Sequence, residues 1–257
     1  MTLLAEFGFL DNLNDTSGNG IVPTANFTPT YIDGPTPGTR AIRFSGAGQT
    51  ITYGRTGLEP TSGGIVTMVW AKIFTDTVFG YTPLVRKIRQ AGGSRRSDLA
   101  VHDNQLSFLS RWRDQLFNND LIGSMTDNGW HHLCNIDSDD RAAWFVDGVL
   151  LNSSARSGVT AVSWENFPWV SGEDLQSGST DSDPNVALTG VRFFQGTMTD
   201  SEVVSWMNTP VLPGRSGKPK TWSGSSWNQH QAKVWNGSSW VNAQMTGYDG
   251  SEFVPSK

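Results

Sequence analysis

The sequence predicts an all-β protein: a two-sheet antiparallel jelly-roll sandwich followed by a small domain of β-hairpin repeats. Three observations predict it. Short β-branched and aromatic runs recur about every ten residues with Gly, Asn, Asp or Ser between them, the spacing of a sandwich or jelly roll. Charged residues make up only 17% of the chain, glycine is abundant, and long Glu/Lys/Ala-rich helical stretches are missing. Near the C-terminal end an aromatic motif repeats in phase every thirteen residues.

The 257 residues suffice for one large β domain with a small appendage, or for two ordinary domains. The opening "MTLLAEFGFLDN" lacks the basic start and long apolar core of a signal peptide. No apolar run approaches the roughly 20 residues of a membrane span. The expectation is a protein made in the cytoplasm, not exported by a Sec-type route and not inserted in a membrane.

Strand signals follow in order. "AIRFSGAGQTITY" (41–53) alternates, turns at Ser-Gly-Ala-Gly and resumes. "GGIVTMVWAKIF" (63–74) is apolar on both parities, as a strand buried on both faces should be. "DLAVHDNQLSFLSRW" (98–112) reads as a hairpin turning at His102-Asp103-Asn104. In "WHHLCNIDSDDRAAWFVDGVLL" (130–151) the Asp147-Gly148 pair suits a two-residue type I′ turn. One helix is predicted over 197–208, where Thr199 and Glu202 have capping-box spacing and Val203, Trp206 and Met207 share a face. "TPVLPGRSGKPK" (209–220) then reads as a linker, which places a boundary near residue 212: a sandwich over 1–212, a linker over 213–220 and repeats over 221–257.

The net charge of −5 gives no electrostatic footprint for nucleic acid, and "RKIRQAGGSRR" (86–96) reads as a solvated loop. The single cysteine, Cys134, excludes an intrachain disulfide and reads as a buried small apolar residue.

"NDTSGNG" (14–20), "GTRAIRFSGAGQTITY", "TMVWAKI", "GWHHL", "AAWFVDGVLL" and "GTMTDSEVVSW" occur in this order over about two hundred residues. Together they resemble the concanavalin A-like, laminin-G-like jelly-roll lectins. The resemblance implies two packed antiparallel sheets and a ligand at a loop rim or on the concave sheet; it does not name the ligand. With the tandem "W-N-G-S-S-W" motifs behind it, the chain resembles minor tail proteins of phages that infect actinobacteria. That likeness implies a virion location at the distal tail, host attachment, other tail proteins and a host envelope polysaccharide as partners, and assembly as a homo-oligomer.

The repeat aligns Trp222, Trp235 and Tyr248 with one another, and likewise Trp227, Trp240 and Phe253. If Asn236-Gly237 form a two-residue turn, Trp235 pairs with Ser238 and Lys233 with Trp240, so the two indoles become diagonal neighbours on one face. Such a short segment has little core. Its aromatics are expected to hold a short β-meander together or to serve assembly, with sugar binding as the alternative.

Catalysis finds little support. Jelly-roll glucanases need carboxylates alternating along a strand to hold nucleophile and acid about 5 Å apart. Glu6, Glu59, Glu165, Glu173, Glu202 and Glu252 stand without such partners, and neither Gly-x-Ser-x-Gly nor His-Glu-x-x-His is present. His131 and His132 are adjacent in a strand, so they face opposite ways; one is expected buried and hydrogen-bonded, the other at the surface. No cofactor is expected. The loop "DNLNDTSGNG" (11–20) offers Asp11, Asn12, Asn14, Asp15 and Asn19 as oxygen donors for Ca²⁺, but its spacing misses the EF-hand pattern, and turn capping explains the same residues.

The glycan-binding candidates are Arg111, Trp112 and Arg113 in "SRWRD" and Trp164 and Trp169 in "SWENFPWV". Each segment sets an aromatic face beside polar forks, the mixture sugars require; a core or subunit-interface role for these tryptophans is the alternative. The functions in view are a non-enzymatic attachment module that binds a host glycan, an architectural tail component, and a glycan-degrading tail enzyme.

Overall fold

The computed structural model describes the chain outside residues 55–57, 59–62, 75–80, 88–96, 103–104, 113–114, 125–126, 157–167, 173–184, 212–219, 223–226, 230–232, 236–239, 243–244, 249–252 and 256–257. Of residues 81, 102, 106–112, 115–124 and 220–255, backbone placement alone is described. The chain forms two compact units, Met1–Val211 and Leu212–Lys257.

In the first unit the strands are β1 (Thr2–Phe7), β2 (Thr24–Ala25), β3 (Thr30–Asp33), β4 (Arg40–Phe44), β5 (Thr50–Gly54), β6 (Gly64–Ile73), β7 (Tyr81–Lys87) and β8 (Ser97–His102). Then come β9 (Gln105–Trp112), β10 (Gln115–Ser124), β11 (Trp130–Ser138), β12 (Arg141–Val146), β13 (Val149–Ala155), β14 (Trp169–Gly172) and β15 (Val186–Gln195), followed by helix α1 (Asp200–Met207). The larger sheet runs β13-β12-β11-β6-β15-β4-β3, with β1 also paired to β15. The smaller runs β10-β9-β8-β7-β14-β5-β2. Every pairing is antiparallel, which makes this the two-sheet jelly-roll sandwich the sequence predicts. The turn after β4 does not close a hairpin: it carries the chain from the larger sheet to β5 in the smaller.

Alternation along the strands builds two cores. Phe7, Phe44, Val69, Leu133, Trp144 and Phe193 of the larger sheet meet Ile51, Tyr53, Leu84, Leu99, Val101 and Trp169 of the smaller, all essentially without solvent exposure. The opposite parity of the larger sheet puts Val66, Met68, Cys134, Ile136, Phe145 and Phe194 on its outer face, where Val203 and Trp206 of α1 cover them. This second layer is why β6 is apolar on both parities and why Cys134 is buried, with its thiol pKa pushed up by that burial. The helix begins at a complete capping box: Thr199 Oγ1 accepts from the Glu202 backbone N–H, and Glu202 accepts from the Thr199 N–H at 2.8 Å. Asp147 and Gly148 both take positive φ (51° and 78°), with Val146 opposite Val149, so the predicted type I′ turn is present. No helix among the described residues is long and apolar enough to cross a membrane.

The second unit holds three separate two-stranded hairpins: β16 (Lys220–Trp222) with β17 (Trp227–Gln229), β18 (Lys233–Trp235) with β19 (Trp240–Asn242), and β20 (Met245–Tyr248) with β21 (Phe253–Pro255). Their register corrects the sequence reading. Trp235 lies opposite Trp240 and Lys233 opposite Asn242, a pairing shifted by two residues from the one an Asn236-Gly237 two-residue turn would give. The same holds for Trp222 opposite Trp227 and Tyr248 opposite Phe253. This register sets an aromatic position opposite an aromatic position in each hairpin. The hairpins are also distinct sheets rather than one continuous meander among the described residues. The linker positions 213–219 and the Asn236-Gly237 pair lie outside the described residues.

Candidate functional site

Strand register sets a row of side chains across the outer face of the larger sheet beside α1. His132 of β11 and Thr189 of β15 both lie opposite Trp70 of β6. One step along, Glu6 lies opposite Arg192, and Arg192 opposite Met68. Between Thr189 and Arg192 the β15 register shifts, and Gly190 takes φ 59° there. A Cβ at 190 would stand 3.3 Å from Trp70 Cδ1, so the absence of a side chain lets the indole lie against the β15 backbone. His132 flanks the same indole edge-on, with ring centroids 5.3 Å apart at 63°.

Trp70 is half-buried and forms one wall of a cavity of about 340 Å³. Thr189, Gly190 and Arg192 line its floor, Pro35, Thr36 and Thr39 a second side, and the Met207–Val211 segment a third. Arg192 fixes that last wall. Its guanidinium is 1% exposed and donates from Nε to Glu6 Oε1 (2.8 Å), from Nη1 to the Trp206 carbonyl (2.8 Å) and from Nη2 to the Thr209 carbonyl. The turn wall is closed by Thr39, whose Oγ1 donates to the Thr36 carbonyl at 2.5 Å and accepts from the Thr36 N–H. Thr189 Oγ1 donates to the Gly8 carbonyl at 3.0 Å.

The two histidines fall on opposite faces, one buried and one at the surface as expected, but it is the surface one that is hydrogen-bonded. His132 is fully buried, and neither of its ring nitrogens has a hydrogen-bond partner. Burial, with the charge of Arg192 as a smaller cause, pushes its pKa down to about 3, so the ring is neutral. His131, at the surface, is the hydrogen-bonded one: Nδ1 lies 2.7 Å from Asp147 and Nε2 3.0 Å from Asp127.

Of the glycan candidates, Trp169 is corrected: it has no exposed surface, its Nε1 donates to the Leu58 carbonyl, and its ring meets Phe193 edge-on at 5.1 Å. β14 turns this residue into the space between the sheets, where it is core and offers no face to a sugar. Arg113 and Trp164 lie outside the described residues. Arg111 and Trp112 end β9, opposite Leu116 and Gln115 in the outermost hairpin of the smaller sheet, far along the sheet order from β14. In the loop 11–20, Asp15 is a staple: its Oδ1 accepts from the Glu6 and Ser17 N–H groups and its Oδ2 from Ser17 Oγ and the Ile21 N–H. Asn12 caps Asn14, Asn19 donates to the carbonyls of Leu3 and Leu4, and Asp11 pairs with Arg40. No group of three or more His, Cys, Asp or Glu that could hold a metal occurs among the described residues.

No protein-family model matches the chain, and no curated protein matches it. Among solved structures, it is similar to the binding domain of Paraclostridial mosquitocidal protein 1, at 14% identity and a TM-score of 0.64, over 99% of this chain and 73% of that one. The binding domain of botulinum neurotoxin DC in complex with SialylT matches at 11% identity and a TM-score of 0.61, over 80% and 51%. A Trypanosoma rangeli sialidase in complex with 2,3-difluorosialic acid matches at 15% identity and a TM-score of 0.61, over 79% and 32%. The chain therefore spans about half or less of the latter two. These likenesses show the fold, a two-sheet β-sandwich.

Proposed function

We propose that the Met1–Val211 unit is a non-enzymatic glycan-binding module, and that the whole chain is a virion minor tail protein that uses it to attach to a host envelope polysaccharide. The observation that carries the glycan reading is the Trp70 cavity. It combines an indole wall with threonine and asparagine side chains in a space of about 340 Å³, the size and mixture that small polar ligands with an apolar face require. The similarity to toxin binding domains supports the same reading. So does the engagement of the described glutamates: Glu6 is held by Arg192 and Glu202 by the helix cap, so neither stands as half of a catalytic carboxylate pair. The tail setting rests on the sequence resemblance and on the aromatic hairpins behind the sandwich.

A second reading, an architectural tail component, is favoured by the apolar stretch Val149, Leu150 and Leu151, exposed on edge strand β13. Retention of the purified protein on host cell-wall fractions separates the two. Retention weakened at least tenfold by Trp70→Ala, with the melting transition kept, supports the glycan module. No retention of the wild type leaves the architectural reading.

A further inference from the structure

We propose that the Trp70 cavity selects an uncharged pyranose and excludes sialylated and uronic sugars; the inference rests on the glycan reading above and names the ligand class of that same site. Charge decides it first. Among the described residues of the lining, Arg192 is the only charged one, and its guanidinium is already committed to Glu6, Trp206 and Thr209. Glu6 and Arg192 are both nearly without exposure, so the floor carries a closed ion pair with no net charge. Swinging the arginine toward an incoming carboxylate would strand a buried Glu6 and release the carbonyls that hold the wall, a cost no surface ion pair returns. His132, behind the indole, adds no charge, because it is neutral above strongly acidic pH.

Hydrogen-bond capacity points the same way. The hydroxyl hydrogens of Thr39, Thr189 and Thr209 are spent on the carbonyls of Thr36, Gly8 and Ser205, and one amide hydrogen of Asn208 on Val204. The oxygens of those side chains remain acceptors. Exposed Thr36 and Asn208 at the mouth add neutral groups only. A lining whose described residues are rich in acceptors and offer no committable cation suits a polyol, which brings its own O–H donors. A carboxylate is acceptor-only and would find only the exposed donors of Thr36 and Asn208 at the mouth, with no cation to pair its charge among the described lining residues. Trp70 supplies the apolar face against which the C–H side of a pyranose ring lies.

The test is saturation-transfer NMR on the full chain with methyl glycosides of glucose, galactose and N-acetylglucosamine, against N-acetylneuraminic acid and glucuronic acid. At least one neutral glycoside should give transfer that falls at least tenfold in Trp70→Ala, while both acids give none. Should Trp70→Ala unfold the chain, Thr36→Arg serves instead. It alters an exposed turn residue and sets a cation at the mouth, so it should admit an acid the wild type refuses. Trp70-dependent transfer to an acid in the wild type, or acid refusal unchanged in Thr36→Arg, overturns the selectivity while glycan binding stands. Neutral transfer that survives in folded Trp70→Ala places binding elsewhere and also overturns it. No transfer from any of the five sugars removes both readings.

Discussion

The carboxylate of Asp147 grips two consecutive residues of β11: Oδ2 lies 2.7 Å from His131 Nδ1, and Oδ1 accepts from the His132 backbone N–H at 2.8 Å. Asp127 closes the other side of the same imidazole and also accepts from the Gly129 N–H. The start of β11 is thereby tied to the β12–β13 turn through one ring.

That clamp is pH-dependent. Burial pulls the His131 pKa down, but its hydrogen bonds to Asp147 and Asp127 and their charges outweigh it, and the net shift is upward from 6.5. A raised histidine pKa gives stability that is fully present below about 6.5 and lost as pH rises through the folded-state value. Asp127, lowered by the Gly129 N–H and then by His131, gives stability present above its unfolded value and lost only in stronger acid. The melting temperature of wild type minus that of His131→Gln should therefore be largest between about pH 4.5 and 6 and shrink toward pH 8.5. A flat difference removes the clamp.

His132 works with the opposite sign. Its folded pKa of about 3 lies below the unfolded 6.5, so the unfolded chain takes up a proton first as pH falls. Folding should lose up to about 1.4 kcal/mol per pH unit below 6.5 through this residue. His132→Leu should flatten the acid limb of urea-unfolding free energy measured from pH 7 to pH 4.5. An acid limb as steep as that of wild type would show that the ring is protonated when folded.

Gly190→Val should damage both fold and site. At φ 59° a β-branched residue is strained by about 1–3 kcal/mol, and its Cβ would press on Trp70 Cδ1 at 3.3 Å. Thermal melts should show a lower midpoint, and near-ultraviolet circular dichroism should show a moved indole. Gly190→Ala should sit between the two. An unchanged midpoint in Gly190→Val would mean that the β15 bulge relaxes freely.

The features legible in the sequence were those set by neighbours in the chain. Thr199 and Glu202 announced the cap because both bonds close within one turn, and Asp147-Gly148 announced its turn because positive φ has few tenants. The Trp70 cavity was illegible. It is assembled from Pro35, Trp70, Thr189 and Asn208, which strand order brings together from four distant segments, and each alone reads as an ordinary strand or turn residue. Trp169 misled for a related reason. Its polar neighbours suggested a rim, whereas which face of β14 meets the other sheet is settled by register with β5 and β7. The hairpins misled because Asn-Gly favours a turn that pairs 235 with 238 locally, while direct aromatic opposition favours the pairing of 235 with 240.

Direct opposition of Trp235 and Trp240 requires cross-strand backbone proximities between 235 and 240, 234 and 241, and 233 and 242. Nuclear Overhauser contacts should connect those pairs, whereas contacts between 235 and 238 would restore the tighter turn. Opposed aromatic pairs contribute roughly 0.5–1.5 kcal/mol beyond their buried area, so Trp240→Ala should open its own hairpin. Amide exchange at Val234 and Val241 should accelerate, and near-ultraviolet signal should fall. The Met1–Val211 unit has its own two cores, so the main thermal transition should stay within about a degree of wild type, as for independent units. Because the three hairpins are separate sheets, exchange at Thr221 and Asn228 of the first should stay at the wild-type rate. Faster exchange there as well would show that the hairpins stand or fall together, as one cooperative array.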